Sequence, residues 1–158
     1  MAGTFRVAFQ TSGAGAGTAF AMLQNTGAVG KPKMRLLELG ITTNAATLSQ
    51  IGLIRAATVG TPSGTALVGQ PDDDSDTTAP VGQVVTSWSA QPTIAGTPVY
   101  LNELVAAAVQ GSGTIWTFPS DRPIVVSPAA TGVTGGLLLW NFGAGAASAL
   151  SCYAVWGE

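Results

Sequence analysis

Three aspartates at alternate positions, Asp72, Asp74 and Asp76, are the first residues whose spacing suggests chemistry. Calcium loops begin with this spacing because several carboxylate oxygens must converge on the ion at about 2.3 to 2.6 Å. The rest of such a loop is missing, since Thr77 stands where the sharp turn requires glycine and Gln83 where a bidentate glutamate is expected. The sequence therefore favours a solvated acidic loop over the alternative, a calcium site.

The sequence offers no complete set of catalytic residues. Histidine is absent, which removes Ser-His-Asp and Cys-His pairs and the His ligands of cupin-like metal sites. The single cysteine, Cys152, has no CxxC partner and is interpreted as a small core residue. Glu38, Glu103, Asp121 and Glu158 lie outside the acidic loop, and their spacing does not pair them as a glycosidase requires. We expect no enzymatic activity, no metal and no cofactor.

Two of these carboxylates have local interpretations. Glu103 shares one face of a predicted strand with Leu101 and Val105, so it is either a buried acid or, in preference, an exposed one. Asp121 is expected to cap a turn through its side chain.

The composition indicates a single domain with few surface charges. Only 9% of the 158 residues are charged and 46% are hydrophobic, so part of the surface is expected to be covered in an assembly. The net charge of −2 argues against nucleic-acid binding, which needs clustered Lys and Arg. Five of the six basic residues precede residue 60, and seven of the eight acidic ones follow it. Uneven solvated charge explains this simply; contact between unlike ends of neighbouring subunits is the alternative.

Apolar residues recur with the period of a β-strand rather than that of a helix. Phe5, Val7 and Phe9 alternate with polar or small residues, and further strand-length runs follow, separated by Gly, Pro, Ser, Thr or Asp. The uncharged stretch 134–156 is interrupted by glycines and Asn141, so it is not expected to cross a membrane. We predict an all-β antiparallel jelly-roll sandwich over residues 32–158, preceded over residues 1–31 by a Gly/Ala-rich N-terminal arm with the first strands.

The closing strands are apolar on both faces, which is unusual for a sheet with one wet side. Leu138 and Trp140 share one face of a predicted strand, and Leu137 and Leu139 share the other. One face would form the sandwich core, and the other would be covered by another subunit of a symmetric oligomer. The residues assigned to core or oligomer interface are Trp116, Leu137, Leu139, Trp140, Tyr153, Val155 and Trp156.

Four short motifs together resemble small jelly-roll virion proteins of tailed bacteriophages. They are WSAQPT at 88–93, TIWTFP at 114–119, LLLWN at 137–141 and YAVWGE at 153–158, and their order and spacing carry the resemblance over residues 36–158. It implies a structural role in a particle, as a head decoration (cement) protein or a minor tail protein, and commonly a homotrimer.

The expected function is therefore a capsid decoration subunit located in the virion after assembly in the host cytoplasm. It would bind the major capsid protein on the outer surface of the head and stabilise the shell non-covalently. Phe5, Arg6 and Phe9 are the predicted partner-binding residues, with the loops at one end of the sandwich as a second choice. The alternative function is a minor tail or fibre domain that binds a host-surface saccharide.

Overall fold

A computed structural model describes residues 3–158, and within that range all regular structure is β-strand, without a helix. All the strand pairs are antiparallel, which confirms the all-β prediction. Sheet 1 contains β1 (Thr4–Gln10), β3 (Met34–Thr43), β7 (Gln70–Pro71), β11 (Gly113–Thr117), β12 (Ile124–Val126) and β14 (Leu150–Gly157). Sheet 2 contains β2 (Ala19–Asn25), β4 (Ser49–Arg55), β6 (Leu67–Val68), β8 (Gly82–Val85), β10 (Asn102–Ala106) and β13 (Gly136–Asn141). The short strands β5 (Thr61–Pro62) and β9 (Trp88–Ala90) pair with each other.

The strand order interleaves distant parts of the chain. Sheet 1 runs β11-β3-β14-β1-β7, with β12 also paired to β3, and sheet 2 runs β10-β4-β13-β2-β8-β6. The first strand lies beside the last, in register from Thr4 opposite Gly157 to Gln10 opposite Ser151. Neither sheet can form before strands from both halves of the chain have met.

A shared apolar core joins the two sheets. Sheet 1 contributes fully buried side chains such as Phe5, Leu39 and Trp156, and sheet 2 contributes others such as Leu53 and Leu137. The rings of Phe5 and Trp156 stack with their centroids 6.2 Å apart. Each large side chain of this kind stabilises the fold by about 1.5 to 3 kcal/mol when it leaves water.

The outer face of sheet 2 is buried as well, beneath residues of this same chain. Leu138 and Trp140 of β13 belong to a second apolar cluster, over which residues of the segment 57–101 such as Trp88, Ile94 and Tyr100 pack. The strand β13 is thus buried on both faces, as its sequence predicts. Because the chain covers its second face itself, the apolarity of β13 gives no reason to expect a neighbouring subunit there.

The N-terminal segment is an integral part of the fold, which corrects the expectation of a separate arm. Strand β1 lies between β14 and β7, and β2 lies between β13 and β8, so residues 4–25 contribute one strand to each sheet. The small residues between these strands are fixed by close packing. Ala147 N donates to Ala14 O at 2.8 Å, and the buried Asn141 amide donates to Ala14 O at 3.0 Å. Residues 13–17 therefore pack against the similar Gly/Ala-rich turn at 143–147.

Candidate functional site

The outer face of sheet 1 is the open face of the sandwich, and it brings together three residues singled out from the sequence. Along one row, Arg6 lies opposite Val155, which lies opposite Glu38. In the next row, Tyr153 lies opposite Gly40. Arg6, Tyr153 and Val155 thus share one surface, although Arg6 is 147 residues from Tyr153 and 149 from Val155 in the chain. Their alternate neighbours on β14, such as Cys152 and Trp156, point into the core.

Tyr153 is held on this face by its neighbours. Its ring lies over Gly40, where a β-carbon would overlap the ring. Its hydroxyl donates a hydrogen bond to Glu38 Oε1 at 2.6 Å, and this bond raises the pKa of Tyr153 above its ordinary value. The open face therefore presents an oriented Tyr-Glu pair beside the apolar side chain of Val155.

Arg6 forms a bidentate ion pair with Asp72 of the acidic loop. Its Nε and a terminal nitrogen each donate to one carboxylate oxygen, the second at 3.1 Å. The carboxylate raises the pKa of the Arg6 guanidinium above its ordinary value. The side chain of Arg6 is still 64% exposed, so it remains accessible on the surface.

Phe5 and Phe9 are placed differently from their predicted role. Both rings lie in the core, with exposures of 0% and 5%. The alternation along β1 points them inward and leaves Arg6 outward. Phe5 and Phe9 therefore have no surface to offer a partner, which corrects that part of the predicted binding site.

Asp73 and Asp76 of the acidic loop accept hydrogen bonds within the loop's own turns. Asp73 Oδ1 accepts hydrogen bonds from the backbone and the hydroxyl of Ser75 at 2.9 and 2.7 Å, which lowers the pKa of Asp73. Asp76 accepts one from Thr78 N at 2.9 Å. Among residues 3–158, no three acidic, Cys or His side chains converge as a metal site would need.

The acidic loop and the basic start of β3 lie at the same end of sheet 1 rather than at opposite ends. Arg35 pairs with Gly157, Gly157 pairs with Thr4, and Asp72 N donates to Thr4 O at 2.8 Å. The acidic loop and the basic start of β3 thus lie about three strand spacings apart at the same end. This arrangement does not support contact between unlike ends of stacked subunits.

The remaining candidates for chemistry are dispersed. Cys152 faces the core, and burial raises the pKa of its thiol to about 12. Glu103 is exposed on β10, as preferred from the sequence. The side chain of Asp121 accepts no hydrogen bond within residues 3–158, and Arg122 N donates to Pro119 O at 2.9 Å to close that turn, so the predicted side-chain cap is wrong.

Glu158 has a role that the sequence reasoning missed. Its buried carboxylate accepts hydrogen bonds from Val81 N, Gly82 N and Trp156 Nε1, each at 2.9 Å. The signal was the spacing of two between Trp156 and Glu158, which places both side chains on one side of the chain. Glu158 ties the segment before β8 to the end of β14 and is a structural residue.

The tryptophans do not form an exposed stacking platform. Trp116, Trp140 and Trp156 are buried, as are Leu137 and Leu139. Trp88 is half-buried against the second apolar cluster. A saccharide would find none of the four indole rings laid open on the surface of residues 3–158.

Comparisons with known proteins add nothing to these observations. No protein-family model, curated protein or solved structure matches the chain. Residues 3–158 contain no helix long and apolar enough to cross a membrane.

Proposed function

We propose that this domain is a jelly roll and that it serves as a structural subunit of a phage virion, decorating the outer surface of the head. The protein binds the major capsid protein non-covalently, acts as a homotrimer and performs no catalysis. The strand order carries the proposal, and the open face of sheet 1 is the surface through which we expect it to act.

The strand order supports a jelly roll because of how the eight main strands divide between the two sheets. These strands are β1, β2, β3, β4, β10, β11, β13 and β14, and four of them lie in each sheet. Sheet 1 contains the first, eighth, third and sixth of them side by side, and sheet 2 the second, seventh, fourth and fifth. An antiparallel ribbon of eight strands that folds over on itself produces this order. Jelly rolls recur in viral capsid and lectin domains, which raises the expectation of a virion role without fixing it.

The open face of sheet 1 supplies a surface suited to a protein partner. Tyr153 and Val155 offer partly exposed aromatic and apolar surface, and Arg6 and Glu38 border them with charge. Interface centres are enriched in Tyr and Arg, with polar groups around them. We therefore place the contact with the capsid protein on this face.

The test of the decoration role is binding to heads assembled from the major capsid protein of the same particle. The purified chain should co-sediment with the heads, and cryo-electron microscopy should show its density on their outer surface. Val155→Arg should weaken binding by about tenfold or more, because it puts a charge at the centre of the contact. Val29→Arg, at an exposed position outside sheet 1, is the matched control. Density confined to the tail, or equal binding by both variants, would contradict the proposal.

We propose that the trimer forms along the edge where both sheets end, which we call the β10–β11 edge (residues 99–117). Val105, Val109 and Ile115 are about 60% exposed there. Strands β10 and β11 are terminal strands in their sheets, and β11 carries neither Lys nor Pro, the residues that usually protect an open edge. Burial of this edge by neighbouring subunits would prevent its unpaired backbone groups from pairing with other chains.

Light scattering at micromolar concentration tests the trimer directly. The native chain should give three times the mass of one subunit, and Val105→Asp combined with Ile115→Asp should lower it. A monomeric native chain under these conditions would contradict the trimer while leaving head binding to be judged on its own.

A further inference from the structure

A cavity of about 550 Å³ opens beside the ends of β4 and β12. Its lining includes no residue of the β10–β11 edge and none of Arg6, Glu38, Tyr153 and Val155. The residues that line it are Lys33 just before β3, Arg55 and Ala56 at the end of β4, the segment 125–127 and the turn 132–136. Lys33 and Arg55 are the charged residues among them, and both are basic. We call this space the basic cavity.

The basic cavity concentrates positive charge in a chain that is acidic overall. Lys33 and Arg55 line it, Arg35 pairs with the lining residue Val125, and Lys31 precedes Lys33 by two residues. Arg6 and Asp72 form the one ion pair within residues 3–158. These four cations therefore have no carboxylate partner in that part of the chain. A negative ligand would meet unneutralised charge at this site.

Arg55 is oriented for binding by a contact with the backbone. One terminal nitrogen donates to Val125 O at 3.0 Å, which holds the guanidinium at the cavity wall while the side chain remains exposed. The other N–H groups of the guanidinium have no hydrogen-bond acceptor within residues 3–158. A planar guanidinium with free N–H groups matches the paired oxygens of a carboxylate, sulfate or phosphate.

The opposite wall of the cavity is preformed. The turn 132–136 contains two glycines with positive φ, Gly132 at 76° and Gly135 at 70°. Thr134 Oγ1 donates to Ala56 O at 2.8 Å, and Asn25 N donates to Gly135 O at 2.9 Å, which ties the turn to the residue after β4 and to the end of β2. A wall fixed in this way lowers the entropy cost of binding.

We propose that the basic cavity binds a small ligand that carries a carboxylate, sulfate or phosphate group. Arg55 receives two oxygens of the anion, and Lys33 supplies a second positive charge. The volume lies within the range of about 300 to 1,000 Å³ usual for small-ligand sites. Two sources share this chemistry, an acidic saccharide and a free inorganic oxyanion. This anion site does not depend on the virion role, and each of the two proposals can be refuted without the other.

Titrations followed by NMR chemical shifts and by calorimetry test the proposal. The probes are N-acetylneuraminic acid, inorganic phosphate and the neutral sugar N-acetylglucosamine. The two anions should shift the amides of residues 125–127 and 132–136, and the neutral sugar should not. Tighter binding of the acidic sugar would identify a saccharide site, and tighter binding of phosphate an oxyanion site. Absence of binding by both anions would overturn the proposal.

Variants at the two cations separate a specific site from general attraction. Arg55→Gln and Lys33→Gln should each weaken anion binding by about tenfold or more, because a hydrogen bond to a charged group is lost. Arg55→Lys should retain part of the affinity. Arg122→Gln removes an exposed cation that does not line the cavity and should leave binding unchanged. Equal loss in Arg122→Gln would show non-specific attraction and overturn the site.

If removal of a cation disturbs the fold, a variant that fills the cavity still tests the proposal. Ser127→Trp fills the cavity and retains both cations, so it should abolish anion binding with the circular dichroism spectrum unchanged. Retained binding in this variant would overturn the proposal. A drop in molecular mass for Lys33→Gln and Arg55→Gln, with unchanged anion affinity, would also overturn it and assign the cations to a subunit contact.

Discussion

Asn141 connects four backbone groups in the interior of the domain. Its amide nitrogen donates to the carbonyls of Ala14, Gly15 and Gly145 at 2.9 to 3.0 Å, and its oxygen accepts from Gly143 N at 2.9 Å. The side chain is fully buried, so water cannot replace these bonds. Its partners are the two Gly/Ala-rich turns, which have few side chains of their own to hold them in place.

Asn141→Ala should destabilise the protein by about 1 to 3 kcal/mol, because several buried backbone groups lose their partner. The free energy of unfolding in urea measures this loss. Asn102→Ala is the matched control, since the half-buried Asn102 side chain makes no hydrogen bond within residues 3–158. Equal stability of the two variants would contradict the role given to Asn141.

The thiol of Cys152 should be unreactive while the protein is folded. Burial raises the pKa of this thiol from 9.0 to about 12, so almost no thiolate forms at neutral pH. A thiol reagent such as DTNB should label the chain in guanidinium chloride and leave the folded protein unlabelled. Rapid labelling of the folded protein would show that the site opens.

The same raised pKa of Cys152 makes stability depend on pH in the alkaline range. The unfolded thiol ionises first, so it releases its proton at a pH where the folded thiol keeps it. The contribution to stability is therefore complete below pH 9.0 and is lost as the pH rises towards about 12. As the pH rises from 9.0 to about 12, the free energy of unfolding should fall less for Cys152→Ala than for the native chain. Urea unfolding at each pH measures this difference.

Strand β4 depends on a glycine beneath an aromatic ring. A β-carbon at Gly52 would overlap the ring of Tyr100, which packs on the second apolar cluster and lies 5.2 Å from the ring of Phe142. Gly52→Ala should cost about 1 to 3 kcal/mol because the ring must move. In combination with Tyr100→Ala the glycine substitution should cost much less, as a double-mutant cycle would measure. Gly96→Ala, in open space, is the control.

Strand β1 should be indispensable for folding. Deletion of residues 1–10 removes Phe5 and Phe9 from the core and leaves one edge of β14 unpaired. We expect this truncation to be unfolded by circular dichroism. Phe5→Ala should cost about 3 to 5 kcal/mol in urea unfolding. Arg6→Ala, on the exposed side of the same strand, should cost far less, and a folded truncation would restore the view of this segment as an arm.

The positions of the strands were predictable from the sequence. The residues that pack on each face of those strands were not. The alternation at Phe5, Val7 and Phe9 and the apolar run at β13 give strands in the structure. What covers each face depends on which strands become neighbours, and pairings between residues as distant as β1 and β14 leave no local pattern. The Gly/Ala-rich residues 13–17 were assigned to an arm for the same reason, because what fixes them is Asn141, a residue more than 120 positions from Ala14.

The site was predictable only in part. The sequence assigned Arg6 to a partner contact and Tyr153 and Val155 to the core or an oligomer interface, and the structure places all three on one face. The basic cavity was not foreseen, because Lys33 precedes a strand of sheet 1 and Arg55 ends a strand of sheet 2, and only the packing of the two sheets brings them together. Their shared position in the basic half of the chain was the one available signal.

As a whole, the molecule should fold slowly for its size. The strands β1, β3 and β14 of sheet 1, and β2, β4 and β13 of sheet 2, pair across most of the chain length. Proteins dominated by such distant pairings refold in milliseconds to seconds, compared with microseconds for local ones. Stopped-flow refolding followed by fluorescence of the buried tryptophans measures this rate. Complete refolding within microseconds would contradict the topology.

The pairing of β1 with β14 also sets a waiting time during synthesis. At about 5 to 20 residues per second, the ribosome needs on the order of ten seconds to make the residues between these two strands. During that interval Phe5 and Phe9 have left the ribosome but their partner strand does not yet exist. The yield of soluble protein should therefore depend on how well the cell shields a nascent apolar strand, and slower translation should reduce it.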